Sequence, residues 1–504
     1  MLIALYWGYL LSFFPMFNRH RRLIFWLFTA SFFIAASSIL FYTSGYRFSF
    51  ERGIFIYSGS LSLKTNVETV SITIDNELIP ENNLGILNNS IQVAGLNPGE
   101  HFVEVTAPGY RTWSKKFVIQ SGLTTEFWNI YLTEENYERV TIPQTENALR
   151  MFPSPDGLFA IIKKNDTRSS VDILDIEGQE NKEVFATTEA FFSPTLETNI
   201  EWSPESHKLI IPLIQNDQPT YTIVTVETGE QFSLGQAAQV TDTIRSPRWD
   251  ATTRDFLFFL SGQGLYRYDT RSTTEPAKRI MDNVAAYDLS GNKLYYLKSD
   301  NGQVYKINGN GNDNSPTEIT EVPLLINPES AYSLITYDDT RLSLIEEKNG
   351  KLFVYNKKAG NPLKEIHTGV KSIQYSDDGK KLLFYTGNEI AVYFNQDWEA
   401  QPFRSLDSII QVARFSNPIE NVEWAEDYEH VIFTLGKNIK MIELDNRDRR
   451  DFIDLLTLES RPLQLLPRFG SDTLYIVSET SSPDLLGNAV FSITLPQYAT
   501  LFGR

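Results

Sequence analysis

The chain contains no cysteine among its 504 residues. Structural disulfides, thiolate metal sites and cysteine nucleophiles are therefore excluded. Histidine occurs five times, at His20, His101, His207, His367 and His430, never as His-x-x-x-His or His-Glu-x-x-His. That spacing argues against a zinc hydrolase. No Gly-x-Ser-x-Gly elbow occurs, and no Gly-x-x-x-x-Gly-Lys-Ser/Thr or Gly-x-Gly-x-x-Gly loop opens a helix, which removes the common hydrolase and nucleotide-binding signatures. We assign no catalytic residue, no cofactor and no metal ligand. Positive charge is also scarce, with 45 Lys and Arg against 63 Asp and Glu, a net charge of −18. Beyond residue 52, 40 basic side chains face 62 acidic ones, which leaves −22. Such a surface repels nucleic acid and anionic headgroups. Among so many carboxylates a glycosidase-like acid pair is not excluded by inspection, but any chosen pair is more simply read as solvated surface.

Against these absences stands one long apolar run. Residues 23–44, LIFWLFTASFFIAASSILFYTS, carry no charge. About 20 apolar residues suffice for a membrane-crossing helix. Arg19, Arg21 and Arg22 lie just before the run. Their excess over the far side predicts a cytoplasmic N-terminus and an exported C-terminal bulk. The rival reading is a cleaved signal peptide, whose apolar region is shorter and ends at a small-residue site. Here the run is Phe-rich, and Ala35-Ala36-Ser37-Ser38 is the only weak site. Residues 1–17 are apolar too, with Pro15 near their end. They read as a second short membrane segment, an interfacial stretch, or a leader ahead of a true start at Met16, the reading we favour.

From Gly59 to about Leu132 apolar residues recur at every second position: Val70, Ile72 and Ile74; Ile91 and Val93; Val103 and Val105; Phe117 and Ile119. This is the period of half-buried strands. Turn signals at Asp75-Asn76, Asn97-Pro98-Gly99, Pro108-Gly109 and Ser121-Gly122 divide them. Six or so short strands in about 70 residues predict a small sandwich. The carrying residues are the strand ending in Asp75-Asn76, the Leu96-Asn97-Pro98-Gly99 turn into a strand, and the corner Gly109-Tyr110-Arg111-Thr112-Trp113. In these the segment resembles the PEGA domain family. The chain departs from the family pattern at Asn76, where Gly is usual, but Asn also tolerates a left-handed turn. The resemblance implies a β-sandwich module on the outer side of membrane-anchored envelope proteins, without catalysis. Tyr110 and Trp113 invite a sugar-stacking reading, yet packing of the sandwich core explains them more simply.

The remaining 360 or so residues repeat. Each unit has an aromatic or apolar strand, a polar turn and a second apolar strand. The turns are Phe152-Pro153-Ser154-Pro155-Asp156-Gly157, Trp202-Ser203-Pro204, Trp249-Asp250, Tyr287-Asp288, Ile335-Thr336, Tyr375-Ser376-Asp377-Asp378-Gly379, Trp424-Ala425 and Phe469-Gly470. The following strands begin near Phe159, Leu209, Phe256, Leu294, Leu342, Leu382, Val431 and Leu474, about 45 residues apart on average. That period suits a four-stranded propeller blade. The Ser-Pro-Asp-Gly and Trp-Ser-Pro turns resemble the WD40-like repeats of TolB-type β-propellers. The resemblance implies a propeller of eight blades, or seven if one unit is an insertion, and no ligand. Asp338-Asp339, Asp377-Asp378 and Glu426-Asp427 suggest metal sites, but they lack calcium-loop spacing and read as turn-shaping residues.

The expected protein is thus mainly β. Residues 1–22 form a basic cytoplasmic start and 23–44 a transmembrane helix. Residues 45–58 are a linker, 59–133 a PEGA-like sandwich and 134–504 a propeller. The expected role is an extracytoplasmic binding or scaffold protein of the cell envelope, with an unidentified protein, peptide or glycan as partner. The alternatives are an envelope carbohydrate-active enzyme using loop carboxylates, or a purely architectural spacer.

Overall fold

The structure is a computed structural model. It describes residues 18–43, 45–49, 54–80, 84–87, 90–165, 167–192, 200–309, 315–360, 363–480 and 487–496. The stretch 1–17, with the start expected at Met16, lies outside them, and so do the side chains of Arg19 and Arg21.

One long helix runs from Asn18 to Thr43. Within it, the 22 residues Arg22–Thr43 are long and apolar enough to cross a membrane, and the fold buries none of that window. Thr29 and Thr43 donate their hydroxyls to the carbonyls of Phe25 and Ile39, four residues back, at 2.9 Å each. A hydroxyl satisfied inside its own helix costs little in hydrocarbon. The expected linker 45–58 is not unstructured: Tyr46–Ser49 pairs antiparallel with Ile54–Tyr57. Aromatic residues in both strands, with Ile54 and Ile56 in the second, favour pairing over a loose tether.

The chain divides into two compact units. The first comprises the residues up to Pro108 with Thr112–Leu132; the second comprises Gly109–Arg111 and Thr133–Gln497. Besides the hairpin, the first unit shows two four-stranded sheets among the described residues, eight strands where about six are expected. One sheet orders Thr124–Ile130, Gly59–Thr65, Ser90–Leu96 and Leu84–Leu87; the other orders Glu77–Leu78, Ser71–Ile74, Gly99–Thr106 and Trp113–Ile119. Leu61, Leu63, Ile72, Val103, Val105, Trp113 and Phe127 fill the space between them, each at most 2% exposed. The strand Trp113–Ile119 alternates buried and open positions throughout, as a sheet with one covered face requires.

The second unit holds eight successive four-stranded sheets among the described residues. Sheet one is built from Ala148–Pro153, Phe159–Lys164, Ser169–Asp175 and Glu180–Thr187. The eighth takes Gln464–Arg468, Thr473–Thr480 and Gly487–Thr494 from the end of the chain, and its outer strand, Val140–Thr141, from the beginning. This pairing of early with late residues closes the ring of blades and removes an open edge. Blades one and eight share a core of Ile142, Met151, Phe159, Val477 and Val490. Blade strands are buried on both faces: Ser169–Asp175 and Lys208–Gln215 each have six buried residues in succession.

In five blades the third strand runs over Gly264–Asp269, Val304–Asn308, Lys351–Asn356, Glu389–Phe394 and Asn438–Glu443. The turn aromatic does not face the same position in every blade: Trp202, Tyr375 and Trp424 lie opposite Leu209, Leu382 and Val431, but Phe152 lies opposite Ala160. Leu294 lies opposite Leu289 rather than Tyr287, Leu342 opposite Thr336, and Leu474 opposite Pro467 rather than Phe469. Trp249 lies opposite Leu257 rather than Phe256. Turn lengths differ between blades, so a fixed count from the aromatic slips the register.

Candidate functional site

The repeat motif residues shape turns. In blade one Ser154 donates to Asp156 Oδ1 at 2.6 Å and accepts the Leu158 amide at 2.8 Å. Pro155 lies inside this turn, and Gly157 takes φ +100°. In blade six Ser376 donates to Asp378 Oδ1 and accepts the Lys381 amide, with Gly379 at φ +63°. In blade two Ser203 accepts the amides of His207 and Lys208 across the turn that contains Pro204. Blades three and seven lack the serine; there Asp250 and Asp427 each accept two turn amides. Asp377 instead offers its carbonyl to the Tyr337 hydroxyl at 2.6 Å. Among the described residues no three His, Asp or Glu side chains gather to hold a metal.

The tryptophans at the ends of the innermost strands join neighbouring blades. Trp202 Nε1 donates to the Phe152 carbonyl at 3.1 Å, Trp249 Nε1 to Glu201 and Trp424 Nε1 to Gln374, both at 3.2 Å. Tyr287 takes the same part in blade four, its hydroxyl donating to Ser246. Each ring is buried and ties its blade to the one before it. The sequence marked these positions without disclosing the bond.

Beside these staples the innermost strands carry a polar layer. In a propeller these strands line the central channel. Arg248 of blade three bridges Glu201 Oε1 of blade two and Asp288 Oδ1 of blade four, at 3.0 Å each. The Thr336 amide of blade five closes the chain on Asp288 Oδ2 at 2.7 Å. Burial pushes both carboxyls above their usual range, against the pull of Arg248. On blades six and seven Gln374 donates to Glu423, and Gln374 Oε1 accepts the Trp424 amide. Burial pushes Glu423 up to about 7, with only the Gln374 hydrogen bond opposing it. Gln464 of blade eight clasps the Met151 backbone at both its amide and its carbonyl.

Aromatic rings stand at the turns on the same ends of these strands. Tyr428 and Phe469 meet edge-on at 5.5 Å, and Arg341 lies 4.2 Å over the Tyr337 ring. Phe469 is 41% exposed. Buried acids and a shared guanidinium thus link one blade to the next, and the turns that follow these strands carry aromatic rings. A separate polar pocket of about 260 Å³ on blade one is lined by Lys163, Asn165, Arg168 and Asp172 among others. Within it Lys163 pairs with Asp172 at 2.7 Å and Arg168 with Glu183 at 2.5 Å. Sequence reasoning missed both groupings, since neither has a local spacing.

In the first unit Asp75 and Asn76, at φ +51° and +68°, make the two-residue hairpin loop between Ile74 and Glu77. Both positive angles are those of a type I′ turn, which Asn accepts in place of Gly. Asp75 accepts the Phe102 amide and contacts His101 Nδ1 at 2.6 Å. Pro98 precedes Gly99, which opens the strand Gly99–Thr106. Gly109, at φ +81°, turns the corner and accepts the Glu135 amide. Trp113 is 2% exposed and packs edge-on against Phe127 at 5.2 Å. Tyr110, in the second unit, bridges to Glu134.

Residues 58–136 match the PEGA domain family model. The PEGA domain accounts for the sandwich and its three turns. No curated protein matches the chain in sequence. Solved β-propellers align with the chain. The β-propeller domain of Myceliophteria thermophila Cps50 (Swd1) shares 9% identity at a TM-score of 0.42, over 71% of this chain and all of that one. The dihydro-heme d1 dehydrogenase NirN shares 13% at 0.40, over 71% and 78%. An oligogalacturonate lyase in complex with manganese shares 11% at 0.35, over 72% and 98%. At these values only the propeller fold is common.

Proposed function

We propose that this chain is a membrane-anchored extracytoplasmic binding or scaffold protein, with its N-terminus in the cytoplasm. The helix Arg22–Thr43 is the anchor, the PEGA domain the stalk, and the propeller the platform for a protein, peptide or glycan partner. The observation that carries the reading is the apolar window Arg22–Thr43, none of which the fold buries. A core helix of a soluble protein would be covered; this one presents Phe25, Phe28, Phe32 and Phe33 outward at 63–66% exposure. The arginine cluster supports the orientation, and the PEGA match supports an extracellular setting. The net negative charge supports a partner other than nucleic acid. The aromatic and polar turns around Tyr337, Tyr428 and Phe469 are where that partner would seat.

Protease shielding of intact cells, with mass mapping of the membrane-bound remnant, tests the anchor. Removal of the propeller by added protease, with a remnant retaining residues 22–43, is the expected result. A protected propeller, or a mature chain beginning after residue 38, overturns it. A photo-crosslinking side chain at Phe469 tests the platform. A discrete adduct lost in Tyr428→Ala is expected, and its absence sinks this face as the binding site.

A further inference from the structure

The hairpin after the helix is built as a second membrane contact. We infer that Phe41, Tyr42, Tyr46, Phe55, Tyr57 and Leu123 form a collar seated in the headgroup interface of the bilayer, on the side where the helix emerges. This rests on the anchored reading of Arg22–Thr43.

The first observation is length. Twenty-two helical residues rise about 33 Å at 1.5 Å each, against a hydrocarbon thickness of about 30 Å. Phe41 and Tyr42 therefore fall where the hydrocarbon ends. The second observation is rigid attachment. The Phe41 ring meets Tyr46 edge-on at 5.5 Å and stacks with Phe55 at 6.0 Å. Tyr46 in turn lies 5.1 Å from Tyr57. Ser58 bonds back to the Gly45 carbonyl through both its amide and its hydroxyl, at 2.9 and 2.7 Å. On its other side Tyr57 lies on Gly122, where an added Cβ would come within 2.2 Å of the ring. The hairpin is thereby held to the end of the helix and to the turn of the PEGA domain, so its height follows from that of the helix.

The third observation is exposure. Phe41 is 53% exposed, Tyr42 62%, Tyr46 39%, Phe55 63%, Tyr57 43% and Leu123 57%. Six large apolar side chains left open around one helix exit would be costly in water. Tyrosines with an apolar body and a polar tip are the residues that concentrate at the membrane–water interface. The occupant is therefore lipid, continuous with the surface the helix already meets. A collar of this kind would fix the tilt and height of the PEGA domain above the bilayer, where a lone helix would leave both free.

The absence of native cysteine makes the test direct. Single variants Tyr46→Cys, Phe55→Cys, Phe33→Cys and Leu78→Cys of the full chain are spin-labelled and reconstituted in phosphatidylcholine vesicles. The collision ratio of oxygen to a water-soluble nickel complex then reports depth. Phe33 marks the hydrocarbon, and Leu78, exposed on the sandwich, marks water. Labels at 46 and 55 reading between the two, severalfold above the Leu78 ratio, are expected. Labels at 46 and 55 matching Leu78 while Phe33 reads hydrocarbon overturn the collar and leave the anchor standing. A Phe33 label that reads water overturns both. An unchanged melting transition of the PEGA domain in each variant shows that the unit carrying the hairpin remains folded.

Discussion

The PEGA domain and the propeller bury their strands differently, and the sequence shows the difference. In the PEGA domain Trp113, Lys115, Phe117 and Ile119 point inward while their neighbours are more open. In the propeller each blade is covered by one neighbour on either side, so Leu209, Ile210, Ile211 and Leu213 are all at most 4% exposed. Alternation marks a sheet with one wet face; continuous apolar runs mark a sheet enclosed between two others. Both units enclose cations, and Lys115 is fully buried in the PEGA domain. The propeller encloses cations that reach from one blade to the next: Lys208 Nζ meets Asp255 of the following blade at 2.6 Å, and Lys381 meets Glu429. The two lysines hold the same place, immediately before the apolar start of the second strand. A stack of repeats needs contacts that fix neighbour to neighbour, and these pairs together with the tryptophan staples supply them.

The largest expected effect breaks a staple. Trp424→Ala removes a ring that is 2% exposed and packed in the core shared by blades six and seven. It should cost about 3–5 kcal/mol, confined to the propeller. Denaturant unfolding that leaves the propeller midpoint unmoved would refute this role. Lys381→Met should cost a comparable amount, about 3–5 kcal/mol, because Glu429 is left as an uncompensated buried charge. Adding Glu429→Leu should recover most of that loss. A double variant as weak as the single one would show that the pair itself, rather than the orphaned acid, sets the stability.

A smaller effect sharpens the other side of the comparison. Gly122→Val places a branched side chain at φ +72° and against the Tyr57 ring. The left-handed backbone alone should cost about 1–2 kcal/mol. Differential scanning calorimetry should show the PEGA transition lowered and the propeller transition in place; equal shifts in both would contradict separate cores. The last effect depends on pH. Burial raises Glu423 to about 7 in the folded state, above the ordinary 4.5. The folded state then holds a proton that the unfolded state has already released, so this group lowers stability as pH rises from about 4.5 through 7. Glu423→Gln should raise the propeller melting temperature at pH 8 and leave it unchanged near pH 4. An equal gain at both values would assign the effect to packing instead.

Much of this was legible because it is local. The turns at Ser154-Pro155-Asp156-Gly157 and Ser376-Asp377-Asp378-Gly379 need a side-chain acceptor and a glycine at fixed places, and a sequence displays both. The outer blade strands were not legible: Glu180–Thr187 has an open, polar first half and a buried Val184-Phe185, so it shows neither period. The hairpin at 46–57 was overlooked because its aromatics follow the apolar run closely and read as its fringe. The Glu201–Arg248–Asp288 chain joins residues 47 and 40 positions apart, a relation that no spacing announces.

The sequence by itself determined the apolar span, the two kinds of sheet and the repeat, because helix length, strand period and turn chemistry are properties of neighbouring residues. Only the tertiary structure decided which blade meets which, how Val140–Thr141 joins the last sheet, and where Arg248 finds its two acids. Those contacts depend on closing the ring, and ring closure depends on the summed fit of all the blades rather than on any one stretch of chain.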